Sequence, residues 1–303
     1  MSCTVAYISM EERGRNLNGE KRLGKYRIVR ALGQGGEGSV YLAEDENLGR
    51  YVAVKRLWEQ EGESGERIRE EAAFLRDLRH PMLPVVYELF YEKEWYLVME
   101  YVDGISLRNY IEKQGNVGER QARLWASALL DVLDYLHTRE TPVIYRDLKP
   151  DNIVVCRDGT LKLVDFGAAG IRNFGEEGKR QMAFSAGFAA PEQRGAGGQG
   201  IRADERSDLY AFGKTLCYIV TGVAPDSLPG TPLPASYYNP LLSEELVAII
   251  RRCTEEEPES RYQVAGEIMR DLSLKGSRGK GKRRRDFVRH VEKQICLTDS
   301  FMA

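Results

Sequence analysis

The chain has 303 residues, 42% hydrophobic and 30% charged, with 44 Lys/Arg against 46 Asp/Glu for a formal net charge of −2. That length accommodates two lobes and a substantial core, and the near-neutral balance gives no global pull toward nucleic acid. The five cysteines (Cys3, Cys156, Cys217, Cys253 and Cys296) form no CxxC pair, which argues against a zinc site or a disulfide framework and fits a reducing, cytoplasmic setting.

Residues 1–25 are polar, without a clear period, and are expected to form a flexible lead-in; their start lacks the basic and apolar runs of a signal peptide. From Tyr26 to Met99 the pattern is that of strands: "YRIVRALG", "SVYLAED", "YVAVKRLW", "VVYELF" and "WYLVMEYV". One helix interrupts them at "ERIREEAAFLRDL", where Ile68, Ala72, Leu75 and Leu78 recur at helical spacing. After Gly104 the character changes. "RQARLWASALLDVLDYLH" sets Ala122, Trp125, Leu129, Val132, Leu133 and Leu136 on one stripe.

Further helices are expected at "SDLYAFGKTLCYIVTG", "SEELVAIIRRCT" and "QVAGEIMRDLSL". The run from Leu209 to Pro225 contains Lys214 and is short for a bilayer span, so a buried core helix is expected there. The tail from Lys275 reads "KGSRGKGKRRRDFVRHVEK", with nine Lys/Arg against two Asp/Glu, and is expected to be disordered. An anionic membrane surface or an acidic protein is its candidate partner; nucleic acid is disfavoured because no aromatic residues interleave the charges.

Chemistry concentrates in four places. "LGQGGEGSVYLA" spaces Gly33, Gly35 and Gly38 as GxGxxG, followed by a strand where a dinucleotide fold needs a helix. It is either an ordinary Gly-rich hairpin or a flap that approaches phosphate closely. Lys55 ends the strand "YVAVK" on the side of Ala53, and either snorkels to water or reaches phosphate oxygens. Glu71 falls within the apolar stripe of its helix, where a carboxylate needs a cation; Lys55 is one partner, Arg67 or solvent the other. Finally "VIYRDLKPDNIVV" frames Arg146, Asp147, Lys149, Asp151 and Asn152 with β-branched ends, and "LKLVDFG" follows with Asp165 at a strand end. Asp and Asn oxygens are the hard ligands that magnesium shares with phosphate.

In this order the motifs resemble those of the eukaryotic-type protein kinases, and "GQGGEGSVYLAED", "YRDLKPDN" and "AAPEQ" look most like the bacterial serine/threonine kinases. The resemblance implies an α+β, bilobal fold: a strand-rich N-lobe over 26–102, a mainly helical C-lobe over 103–273 and a separate tail over 274–303. It implies a serine/threonine protein kinase using ATP and Mg²⁺, or Mn²⁺, on protein substrates, in the cytoplasm or at a membrane reached through the basic tail.

Residue by residue, the resemblance implies that Gly33, Gly35 and Gly38 cover the nucleotide, and that Lys55, paired to Glu71, meets its α/β-phosphates. Val40, Ala53 and Val154 would line the adenine, with Met99 behind it and Glu100 and Val102 offering backbone groups. Asp147 would be the catalytic Asp, Lys149 would steady the transferring group, and Asn152 and Asp165 would hold metal. Glu192 would pair with Arg261, and Asp208 would cap the catalytic loop. Two departures stand out. Tyr145 replaces the usual His, and Ser185 is the one hydroxyl side chain between Phe166 and Glu192. The loop is therefore expected to work without a phosphate, with Glu176 or Glu177, or solvent, answering Arg146.

A pseudokinase scaffold is disfavoured by intact Lys55, Asp147, Asn152 and Asp165, and a small-molecule phosphotransferase by the AAPEQ segment with Arg261.

Overall fold

Strand-forming runs dominate the first third of this chain and helix-forming stripes much of the rest, and the chain folds into two compact units that interleave in sequence. The computed structural model describes residues 22–35, 38–57, 65–166, 170–171, 187–194, 203–225 and 235–273. Among these, one unit comprises residues 22–106 with Val154–Val164, and the other Leu107–Ile153 with the described residues from Asp165 to Ser273.

The first unit is built on a six-stranded antiparallel sheet of β1 (Arg22–Leu23), β2 (Tyr26–Gly35), β3 (Gly38–Asp45), β4 (Arg50–Leu57), β5 (Val86–Tyr91) and β6 (Trp95–Glu100). The strand order is β1-β2-β3-β4-β6-β5. Alternation along β4 sorts its side chains between two clusters. Val52 and Val54 join Tyr26, Ala43 and Val98, while Ala53 joins Leu32, Val40 and Leu42. Helix α1 (Gly65–Asp77) buries Ile68 and Ala72. Strand β7 (Gly104–Ser106) pairs with β9 (Ile153–Cys156), which pairs in turn with β10 (Leu161–Leu163).

Two residues of the expected lead-in belong to the sheet. Arg22 and Leu23 form β1 opposite Arg27 and Tyr26, turning at Gly24 (φ +55°), and Leu23 is buried in the sheet's core. A two-residue strand offers no alternation to read, which is why the sequence concealed it. Strand β7 and its partner β9 bring the first unit to Ser106 and add Val154–Val164.

The second unit is helical: α2 (Leu107–Gln114), α3 (Glu119–His137), α4 (Glu205–Thr221), α5 (Ala235–Tyr238), α6 (Glu244–Cys253) and α7 (Ala265–Ser273). All six apolar positions of the α3 stripe are buried, and Leu129, Leu133 and Leu136 are wholly enclosed. Each such leucine contributes about 1.5–3 kcal/mol. Helix α4 starts at a capping box on Asp204 and Ser207 and stops at Gly222, whose φ of +72° suits glycine. Its burial on nearly every side makes it a core helix, and among the described residues no helix is long and apolar enough to cross a membrane. Strand β8 (Val143–Ile144) pairs with β11 (Gly170–Ile171).

Candidate active site

The first unit carries the residues expected around a nucleotide. Gly33 and Gly35 end β2 opposite Val40 and Gly38 of β3. Gly38 has φ +149°, and a Cβ there would lie 2.0 Å from the Arg56 carbonyl oxygen, so the close strand approach requires glycine. Val40, Ala53, Val102 and Val154 pack in one cluster, with Met99 against it. Lys55 is 7% exposed within β4. Its expected pairing with Glu71 rests on a side chain outside the described residues. The side chain of Glu100 ties neighbouring strands together. Its carboxylate receives Lys162 Nζ at 3.0 Å and Val85 N at 3.1 Å, while its own N–H donates to Val85 O at 2.8 Å. Cys156 beside this cluster is an inert thiol, because burial pushes its pKa up to about 11.

The second unit gathers Asp147, Lys149 and Asn152. After β8, residues 145–149 form an irregular loop, and Pro150 opens a short 3₁₀ turn through Asn152. Asp147 Oδ2 accepts from Lys149 Nζ at 2.7 Å and from Asn152 Nδ2 at 2.9 Å; that amide also donates to Asp147 O at 2.9 Å. Lys149 is 2% exposed and Asn152 is fully buried, so these contacts replace water.

With both Nδ2 bonds directed at Asp147, Asn152 Oδ1 is left buried without a hydrogen-bond partner. An enclosed amide oxygen with an unused lone pair fits a hard cation. Asp165, the second expected ligand, has φ +68°, in the left-handed region. The unusual Tyr145 acts on it directly, donating its hydroxyl to Asp165 O at 2.9 Å while its ring meets Phe166 edge-on at 5.2 Å.

A buried acid holds this loop. Asp208, in the first turn of α4, accepts Tyr145 N at 2.8 Å and Arg146 N at 2.7 Å, and His137 Nε2 lies 2.8 Å from the same carboxylate. Glu192 and Arg261 form a bidentate pair at 2.8 and 2.9 Å, and Ser207 Oγ donates to the same carboxylate at 2.6 Å. Burial raises the Glu192 pKa, but the hydrogen bonds from Arg261 and Ser207 outweigh it and hold the carboxyl below its ordinary range.

Two contacts were invisible in the sequence. Asp151, to which no role fell, binds Arg108 of α2 at 2.7 Å. Gln193 spans two backbone segments: its Oε1 accepts Ala190 N at 3.0 Å and its Nε2 donates to Arg146 O at 2.9 Å. Ser185, Glu176 and Glu177 lie outside the described residues, as do 274–303.

A strand-rich unit with a Gly-rich hairpin, and a helical unit that orients an Asp-Lys-Asn loop, define a protein of the kinase fold class. The chain belongs to the protein kinase domain family, which it matches over residues 26–271. It is 31% identical over 272 residues to the serine/threonine-protein kinase PrkC of Bacillus subtilis, covering 84% of this chain and 41% of that protein. It is 33% identical over 272 residues to the serine/threonine-protein kinase PknA of Nostoc sp., covering 82% of this chain and 47% of that one. Among solved structures, the kinase domain of Mycobacterium tuberculosis PknI matches with a TM-score of 0.65 and 25% identity, over 85% of this chain and 98% of that chain. The chain spans roughly two-fifths of the length of the curated relatives it matches (41%, 39% and 42% for three of them).

Proposed function

We propose that this chain is a serine/threonine protein kinase that moves the γ-phosphoryl group of ATP, with Mg²⁺, onto protein hydroxyls, and that its kinase domain spans residues 26–273. The observation that carries the reading is the Asn152 amide, which directs both its N–H bonds at Asp147 and keeps a buried oxygen unused. That oxygen is of the hard kind that takes magnesium.

Phosphoryl transfer needs positioning and charge neutralisation more than covalent chemistry. Asp147, its Oδ2 fixed by two donors, would accept or orient the proton of the acceptor hydroxyl. Lys149 lies 2.7 Å from Asp147 and would place positive charge on the transferring group. Asn152 and Asp165 would hold the metal, whose contribution when bound is to neutralise charge on the phosphate oxygens. In the first unit, Lys55 would meet the α/β-phosphates beneath Gly33, Gly35 and Gly38. The apolar cluster of Val40, Ala53, Val102 and Val154, with Met99, would accept adenine, and the backbone of Glu100 and Val102 would set its orientation.

Incubation with radiolabelled ATP, Mg²⁺ and a generic protein substrate should label Ser and Thr. Asp147→Asn should lower turnover by about 10²–10⁴-fold, the range for loss of a general base. Near-normal activity in that variant overturns the reading.

A further inference from the structure

Arg146 immediately precedes Asp147 and has φ +68°, a left-handed conformation that a non-glycine residue keeps only where its surroundings enforce it. Both ends of this residue are held by side chains distant in sequence. Its N–H donates to Asp208 Oδ1 at 2.7 Å, and its carbonyl accepts from Gln193 Nε2 at 2.9 Å. The carbonyl belongs to the peptide that leads into Asp147, so fixing its direction fixes where the Asp147 side chain starts. The other end of the Gln193 amide accepts Ala190 N at 3.0 Å, at the start of the Pro191–Arg194 3₁₀ turn. The orientation of the amide is chemically determined, because a peptide N–H requires the oxygen and a carbonyl requires the nitrogen.

Glutamine is the residue this geometry demands. A carboxylate would set an anion against the Arg146 carbonyl, an aliphatic chain would lose both bonds, and asparagine would fall one methylene short.

We propose that Gln193 is a positioning residue that ties the segment beginning at Ala190 to the Arg146–Asp147 peptide, so that order in the one holds the catalytic Asp in place in the other. The inference rests on the kinase reading for its effect on turnover, though not for its effect on the loop. It makes Gln193 the complement of Asp208: one side chain fixes the N–H of Arg146, the other its C=O. It also separates Gln193 from its neighbour Glu192, whose carboxylate is engaged by Arg261 and Ser207.

Three measurements on the full chain test it. In Gln193→Leu, amide hydrogen exchange over 145–148 should quicken relative to wild type while that over 208–216 stays unchanged. Unaltered exchange in the loop overturns the proposal whether or not the protein phosphorylates anything. In the activity assay, Gln193→Leu should lower kcat by about tenfold, through loss of the bond that holds the Arg146 carbonyl, with the affinity for ATP in the first unit unchanged. A change confined to KM for ATP counts against it. Gln193→Glu supplies a test that a purely structural role would not meet. Protonated, the introduced carboxyl can again donate to Arg146 O and accept from Ala190 N, so its activity relative to wild type should rise as pH falls. A ratio independent of pH overturns the positioning role. Inactive wild-type protein would count against the kinase reading, and the exchange measurement would still decide for or against the clamp.

Discussion

Two carboxylates near the loop divide its work. Asp147 is the proposed proton acceptor, while Asp208, wholly buried, accepts two peptide N–H groups and meets His137. Around them, Arg146 and Asp165 both adopt φ +68°; among the described residues the one other non-glycine residue with positive φ is Lys93, in the turn between β5 and β6. Tyr145 sits between them, with its N–H on Asp208 and its hydroxyl on the Asp165 carbonyl.

Tyr145→Phe should therefore keep the edge-on ring packing against Phe166 and lose only the hydroxyl bond. The lost bond should cost about 1 kcal/mol of folding stability and lower turnover about fivefold, through a looser Asp165 backbone. Steady-state kinetics beside urea unfolding would separate the two; a variant equal to wild type in turnover would show that the hydroxyl is idle. At this scale the sequence was legible where one residue type carries a charge into an apolar frame, as in "YRDLKPDN". Gln193 and the Arg108–Asp151 pair were not legible, because their partners lie 47 and 43 residues away and Gln193 bonds only to backbone, which leaves no complementary letter to find.

Helices α3 and α4 show what long elements reveal and short ones hide. The 19 residues of α3 repeat their apolar spacing often enough to fix its inward face, whereas α2 has only two turns and α5 only one, too little to establish a period. Packing between α4 and α6 depends on a feature no period reports. A Cβ on Gly213 would lie 2.5 Å from Cys253 Cβ and 2.9 Å from Thr254 Cγ2. Glycine inside a helix costs about 1 kcal/mol relative to alanine, so on propensity alone Gly213→Ala would stabilise. Overpacking costs roughly 1–3 kcal/mol, and here the nearer obstructing atom is the Cβ of the fully buried Cys253, which no change of rotamer can move. The clash should win by about 1 kcal/mol, read as a lower urea midpoint at constant slope. A raised midpoint would mean that α6 gives way at little cost.

Across the whole molecule, acid stability should rest on a few carboxyls held below their ordinary range, and the two units hold theirs differently. Glu88 in the first unit is lowered by its hydrogen bonds from Lys25 and Tyr26, but it is 39% exposed and solvent screening makes it a weak contributor. Glu192 in the second is 2% exposed against a fully buried Arg261. A carboxyl whose folded pKa is depressed contributes stability above its unfolded value, here about 4.5, and loses it as pH falls toward the folded value. Glu192→Gln removes that titration and leaves the Arg261 guanidinium buried without a counter-charge, at a cost of about 3 kcal/mol near neutrality. As pH falls through about 4.5 the unfolded wild type takes up a proton that the folded Glu192, held below its ordinary range, does not, so the gap between wild type and variant must shrink. Urea unfolding measured from pH 7 down to pH 3 should show the stability difference largest at the neutral end and shrinking through the acid range. A gap that stays constant with pH would mean that the charge on Glu192 contributes nothing beyond its shape, and that Arg261 is held by the Glu255, Glu256 and Arg206 carbonyls, at 2.7, 2.6 and 3.3 Å.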